Sequence, residues 1–278
     1  MTALLESGPE QLRGIRLLKS ELAKIISTRM VIVLGSIAIA AGIVASVIFG
    51  LIGVFGGSDG TNTVFEQTEF VASSYTFGNQ MARIVAIIAG AMAMGAEYRH
   101  KTLATSYLAV PRRRDLIVGK GIVTFGYGLA LGLVSTIASF IVTAIFVLTH
   151  HGSLALGTAQ GWQALLMNVL TIGLWCLIGY GLGLLVRQMI ASVVIAIVFS
   201  YVVEPIVSLI FTVKRWTVPG QLLPSGATDN ALGVTAMRIL QENTGGGWPA
   251  WSGIGVLVGW ALIPTVIGCL VTVRRDIE

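Results

Sequence analysis

Six long apolar runs, separated by short polar stretches, give this chain its pattern. Most exceed the roughly 20 residues that an α-helix needs to cross a bilayer, and the shortest comes close to that length. They predict spans at Met30–Phe55, Gly78–Ala96, Gly121–Thr149, Trp162–Val186, Gln188–Val213 and Trp251–Val273. Ahead of the first span, Leu12, Ile15, Leu18, Leu22 and Ile25 recur at steps of three and four, while Arg13, Arg16, Lys19 and Lys24 lie mainly off that stripe. This predicts an amphipathic helix within residues 1–29, opened by Ser7, Pro9 and Glu10 as a capping box with proline in the first turn. Its apolar side suits the acyl boundary and its cations suit anionic headgroups, although a helix packed on a protein partner shows the same pattern.

Within the fifth run, Pro205 follows Glu204 and removes one backbone donor, so a local kink is expected there. Residues 214–250 carry the breakers Pro219, Pro224 and Gly245 to Gly247 and read as an external segment, part of which is able to dip into the membrane. The expected fold is an all-α integral membrane protein, a single transmembrane domain over residues 1–278. It has six transmembrane helices and an N-terminal amphipathic interfacial helix.

Composition supports the membrane class. The chain is 55% hydrophobic and only 11% charged, against roughly 25% charged in soluble domains. The net charge of +5 fits basic loops beside apolar spans better than nucleic-acid binding. Cys176 and Cys269 both fall inside apolar runs, so neither a disulfide framework nor a zinc site follows. The first apolar run begins too late and runs too long for a cleaved leader, and it reads as an anchor.

Charge placement orients the spans. Eight of the chain's 31 Asp, Glu, Lys and Arg residues lie in Glu97–Lys120, EYRHKTLATSYLAVPRRRDLIVGK, between the second and third spans. With both termini inside, fourteen of the eighteen Lys and Arg fall in inner segments, and Gly56–Phe77, with Asp59, Glu66 and Glu69 but no Lys or Arg, reads as an external loop. This asymmetry places that loop and both termini in the cytoplasm. Arg83 and Glu204 are the exceptions inside spans, and at ~6 and ~13 Å from their outer boundaries they lie within reach of each other. An ion pair that fixes packing, a role in substrate passage or gating, and independent solvation all remain open for them.

The three histidines, His100, His150 and His151, fit no metal-site spacing and read as interfacial polar residues. Gly119-Lys120 has Arg114 where a phosphate-binding loop needs its first glycine, so ATP binding in the usual way is not expected of this chain. The glycine pairs Gly128/Gly132, Gly179/Gly183 and Gly255/Gly259 suit close helix packing, within the chain or between subunits.

The loop carries a more specific signal. Glu97, Tyr98 and Arg99 end a span, Thr102 leads an apolar segment, Leu108 precedes Pro111, and Arg112 and Lys120 lead into the next span. This order resembles the permease subunits of ATP-binding-cassette exporters of the type-2 superfamily, in their short bacterial six-span form. Lys101 stands where many of those relatives have glycine.

The resemblance implies a cytoplasmic coupling helix between spans two and three, with Leu103, Tyr107 and Leu108 offered to a cleft of a separate ATPase. It implies two ATPase copies and a second permease copy, a homodimer being the simplest arrangement, in the bacterial inner membrane. ATP and Mg would then sit on the partner ATPase and no cofactor on this chain, which would not itself be an enzyme. Transport of a drug, lipid or hydrophobic natural product, as in multidrug efflux, is the implied activity. Two other classes fit the spans: a proton-coupled transporter or membrane enzyme using Glu204, and a structural membrane anchor. The shortage of other intramembrane ionisable residues argues against a proton relay.

Overall fold

A computed structural model describes residues 9–56, 62–99, 113–214, 216–233 and 248–274. The described residues are helical with short connections. The amphipathic segment forms α1 (Pro9–Ile26), and the first apolar run forms α2 (Arg29–Gly56). A 3-10 turn (Asn62–Glu66), α3 (Thr68–Thr76) and α4 (Asn79–Arg99) follow. After them come α5 (Arg113–Thr149) and α6 (Ala159–Val186). The fifth run divides into α7 (Met189–Val198), a π turn (Phe199–Val203) and α8 (Glu204–Val213). Two short helices, α9 (Thr217–Gln221) and α10 (Pro224–Leu232), precede the last span, α11 (Ala250–Arg274). Six of these helical stretches are long and apolar enough to cross a membrane.

The core lies between α4 and α6. In the most apolar window of α6, 67% of residues are buried, against 17% in the α7–α8 stretch and 22% in α11. The latter two therefore turn most of their side chains outward, as spans facing lipid or another subunit do. Glycine lets α4 and α6 approach closely: a Cβ on Gly90 would stand 1.9 Å from the Cys176 carbonyl oxygen, and one on Gly179 would stand 2.2 Å from that of Ile87. Gly128 and Gly132 serve α5 against α6 in the same way, whereas Gly255 and Gly259 meet nothing within 4 Å in this chain. Buried amides tie the same helices together. Asn79 Nδ2 donates to Asn168 Oδ1 at 2.7 Å, and Asn168 Nδ2 donates to Thr136 Oγ1 at 2.8 Å.

Two polar-looking stretches are more ordered than their composition suggests. Residues between the first two spans were expected to form an external loop, yet α3 buries Phe70 through Thr76. Phe70 packs on Phe49 with ring centroids 4.6 Å apart, and Tyr75 donates its hydroxyl proton to the Leu154 carbonyl at 2.5 Å. In the 214–250 segment, α10 buries Ala227, Thr228 and Ala231. Thr228 accepts the indole proton of Trp175 at 2.9 Å. The kink at Pro205 takes the form of the π turn, in which the Glu204 amide donates to the Phe199 carbonyl immediately before the proline.

Candidate functional site

The end of α4 and the start of α5 face each other beside α1, and their charges meet there. Lys120 Nζ stands 2.8 Å from Glu97 Oε1 and 2.6 Å from Glu21 Oε2. Lys24 Nζ stands 2.5 Å from Glu21 Oε1 and 3.6 Å from Glu97 Oε1. Glu21, Glu97 and Lys120 are all buried, while Lys24 is half exposed.

Such a group survives burial only because each carboxylate has a cation and hydrogen bonds. Burial alone would push the Glu21 carboxyl up, but the Lys120 charge and hydrogen bonds from Lys120 and Lys24 outweigh it and hold the pKa below the ordinary 4.5. For Lys24, burial would lower the pKa, but hydrogen bonding to Glu21 and the charges of Glu21 and Glu97 raise it above 10.5. Apolar contact holds the helix in place as well: a Cβ on Gly119 would lie 3.1 Å from Leu17. The four charges thus join the N-terminal helix to both roots of the 100–112 segment.

Of the residues expected at the coupling loop, Glu97 lies in this cluster. Tyr98 packs against the group of Met94, Ile117, Tyr180 and Leu184, and Arg99 is the exposed last residue of α4. Thr102, Leu103, Tyr107, Leu108, Pro111 and Arg112 lie outside the described residues, as does Ser7 of the capping box.

Glu21 was not singled out from the sequence, although a signal was present. It sits three residues after Leu18 and four before Ile25, a carboxylate within an otherwise apolar stripe. Beside the cluster, a cavity of about 460 Å³ runs between α2, α4 and α5, lined by Lys24, Glu97 and Lys120 at its charged end.

Arg83 and Glu204 lie toward the opposite end of the bundle. Both are buried and close enough for their charges to interact, but no ion pair joins them. Arg83 instead lies over the rings of Trp175 and Tyr201, at 5.2 and 5.7 Å from the centroids, and donates to Gln80 Oε1. Glu204 Oε1 accepts the backbone N–H of Ser225 in the first turn of α10, where the helix dipole favours a negative charge. Glu204 Oε2 and two guanidinium nitrogens, Nε and NH1, have no partner. The two residues thus share one buried region without pairing directly.

A family model described as "ABC-2 family transporter protein" matches residues 17–203. The chain belongs to the ABC-2 transporter family. The match spans α1 from Leu17, all of the charged cluster, and the Arg83 region through the π turn. A search of curated proteins gave no match. As an ABC-2 transporter, the chain is a multi-pass membrane protein of the permease kind, the membrane component of a transporter rather than a catalytic subunit. ABC-2 permeases generally work with an ATP-binding-cassette ATPase.

Proposed function

We propose that this ABC-2 permease is the pathway-forming subunit of an ATP-driven exporter, paired as a homodimer and served by two copies of a separate ATPase. Both termini and the 100–112 segment face the cytoplasm of a bacterial cell, and the segment docks in the ATPase through Leu103, Tyr107 and Leu108. Glu97, Tyr98, Arg99, Thr102, Pro111 and Arg112 frame that docking element. ATP and Mg are bound by the partner. The cargo is a drug, lipid or hydrophobic natural product.

The observation that carries this reading is the buried cluster of Glu21, Lys24, Glu97 and Lys120, which clamps both roots of the 100–112 segment to α1. A displacement that reaches Glu97 or Lys120 separates buried charge pairs unless α1 moves with them. It is therefore passed to α1, α4 and α5 together. Arg83 and Glu204 act farther along the same route, where α4 meets the π turn through Tyr201, whose ring lies under the Arg83 guanidinium and whose hydroxyl donates to the Gln80 carbonyl.

The test replaces Leu103, Tyr107 and Leu108 with Asp together. The variant should insert at parental levels, lose transport, and either release a co-expressed ATP-binding-cassette ATPase or uncouple its hydrolysis from substrate. A variant that still binds the ATPase and transports at the parental rate refutes the proposal.

A further inference from the structure

The four charges of the clamp present unequal faces to the cavity beside them. Glu97 Oε2 is sealed among protein atoms, and Oε1 is held by Lys120 at 2.8 Å. Glu21 is only 2% exposed, with Oε1 on Lys24 and Oε2 on Lys120. Both carboxylates are thus spent on lysines inside the cluster. The Lys24 side chain, by contrast, is 52% exposed and lines the cavity. One of its three protons goes to Glu21 Oε1 at 2.5 Å, whereas Glu97 Oε1, at 3.6 Å, lies beyond hydrogen-bond length. The mouth of the cavity therefore offers protons and positive charge to a newcomer and no uncommitted carboxylate. Arg29, exposed one residue beyond the lining residue Thr28, adds to the positive field.

Below this mouth the walls are apolar. The 460 Å³ space is a cleft rather than a closed chamber, with Met30, Val31 and Leu34 of α2 on one side and Ala89, Met92 and Ala93 of α4 on the other. From Glu97 to Ala89 the α4 wall runs ~12 Å at 1.5 Å per residue. The volume falls in the lower part of the roughly 300–1,000 Å³ range of ligand sites. A half-exposed cation thus stands over an apolar slot between two spans, complementary to an amphiphile with a negative head.

We propose that this cleft holds one anionic phospholipid, with its phosphodiester oxygens on the Lys24 ammonium and one acyl chain between α2 and α4. A headgroup that also carries an ammonium brings a second positive charge to Lys24 and finds no free carboxylate to pair with it, so a net negative headgroup is preferred. The lipid joins α1, which supplies Lys24, to α2 and α4, and so reinforces the docking of α1 from the membrane side. The proposal needs only the membrane embedding of the bundle. Its failure would leave the partnership with an ATPase untouched, and the reverse also holds.

The experiment titrates the delipidated full-length protein in detergent with phosphatidylglycerol, phosphatidylethanolamine and phosphatidylcholine of identical chains, counting bound lipid by native mass spectrometry. One saturable phosphatidylglycerol per chain is expected, held about fivefold more tightly than either zwitterionic lipid, the scale of one lysine meeting an anionic headgroup. Lys24→Gln should bring phosphatidylglycerol down to the level of phosphatidylcholine. Lys19→Gln makes the same charge change at an exposed position of α1 outside the cleft lining, and should leave the preference intact. Ala93→Phe, which fills the slot without touching a charge, should weaken all three lipids about fivefold or more with the melting curve retained, and it tests the slot even where Lys24→Gln loosens α1. Equal affinity of the parent chain for the three lipids, a preference for either zwitterionic lipid, equal loss in Lys19→Gln and Lys24→Gln, or unchanged binding in Ala93→Phe overturns the proposal.

Discussion

Lys120→Met tests the clamp most directly. The Lys120 ammonium is almost fully buried and touches two carboxylates, at 2.6 and 2.8 Å. Removing one partner of a buried ion pair costs about 3–5 kcal/mol, because the remaining charge has neither water nor a counterion. Lys24 stays beside Glu21, at 2.5 Å, so Glu97 bears most of the loss and the low end of the range applies. About 3 kcal/mol corresponds to a roughly 100-fold fall in the population of docked α1. Hydrogen exchange read by mass spectrometry on residues 17–26 of the purified protein should rise accordingly. Neutralising the three buried members, Lys120→Met with Glu21→Gln and Glu97→Gln, leaves only the half-exposed Lys24 charged, removes the stranded charge and should restore most of the protection. The same assay has a pH signature. Glu21 has a depressed pKa, so its contribution is complete above 4.5 and is lost as pH falls through the lower docked value. Lys24 has a raised pKa, so its contribution is complete below 10.5 and is lost as pH rises through the higher docked value. Corrected for intrinsic exchange, protection should be flat from about pH 5 to about pH 10 and fall on both sides. Unchanged exchange in Lys120→Met, or a triple variant as unprotected as the single one, would refute the reasoning.

Three further outcomes are expected. Gly90→Ala puts a methyl 1.9 Å from the backbone oxygen of Cys176, which cannot swing aside; overpacking of about 1–3 kcal/mol or more should lower the melting temperature by several degrees. Gly255→Ala, with nothing within 4 Å, should melt within about 1 °C of the parent, and equal melting of the two variants would contradict the close α4–α6 approach. In a background lacking Cys176 and Cys269, an impermeant thiol reagent applied to intact cells should label Ser153→Cys, exposed between α5 and α6, and spare Gln188→Cys, exposed between α6 and α7; the opposite pattern inverts the topology. Arg83→Met and Glu204→Gln, measured singly and together for stability, should couple by about 0.5 kcal/mol or more, since the two charges interact within one buried region, and strict additivity would make them independent.

The apolar runs alone determined the six spans and the N-terminal helix. A helix crossing lipid must satisfy its backbone internally and cover itself with apolar side chains, a requirement that is local and visible at every position. The polar interruption at Glu97–Lys120 was equally legible, because charge in lipid is costly and its placement marks where the spans end. Which charges meet was a different matter. Glu21 and Lys120 are about a hundred residues apart in the chain and come within 2.6 Å only because α1 folds back onto the start of α5. Likewise α3 and α10 looked like loop segments, since small and polar residues such as Ser73, Ser74, Thr228 and Asn230 resemble solvent-exposed ones until neighbouring helices supply their partners. Burial of a polar side chain depends on what stands opposite it. For the clamp and the α3 and α10 packing, that counterpart comes from another helix and was decided by the tertiary structure alone, whereas the nearness of Arg83 and Glu204 was legible from their depths and only their separate partners were decided by the fold.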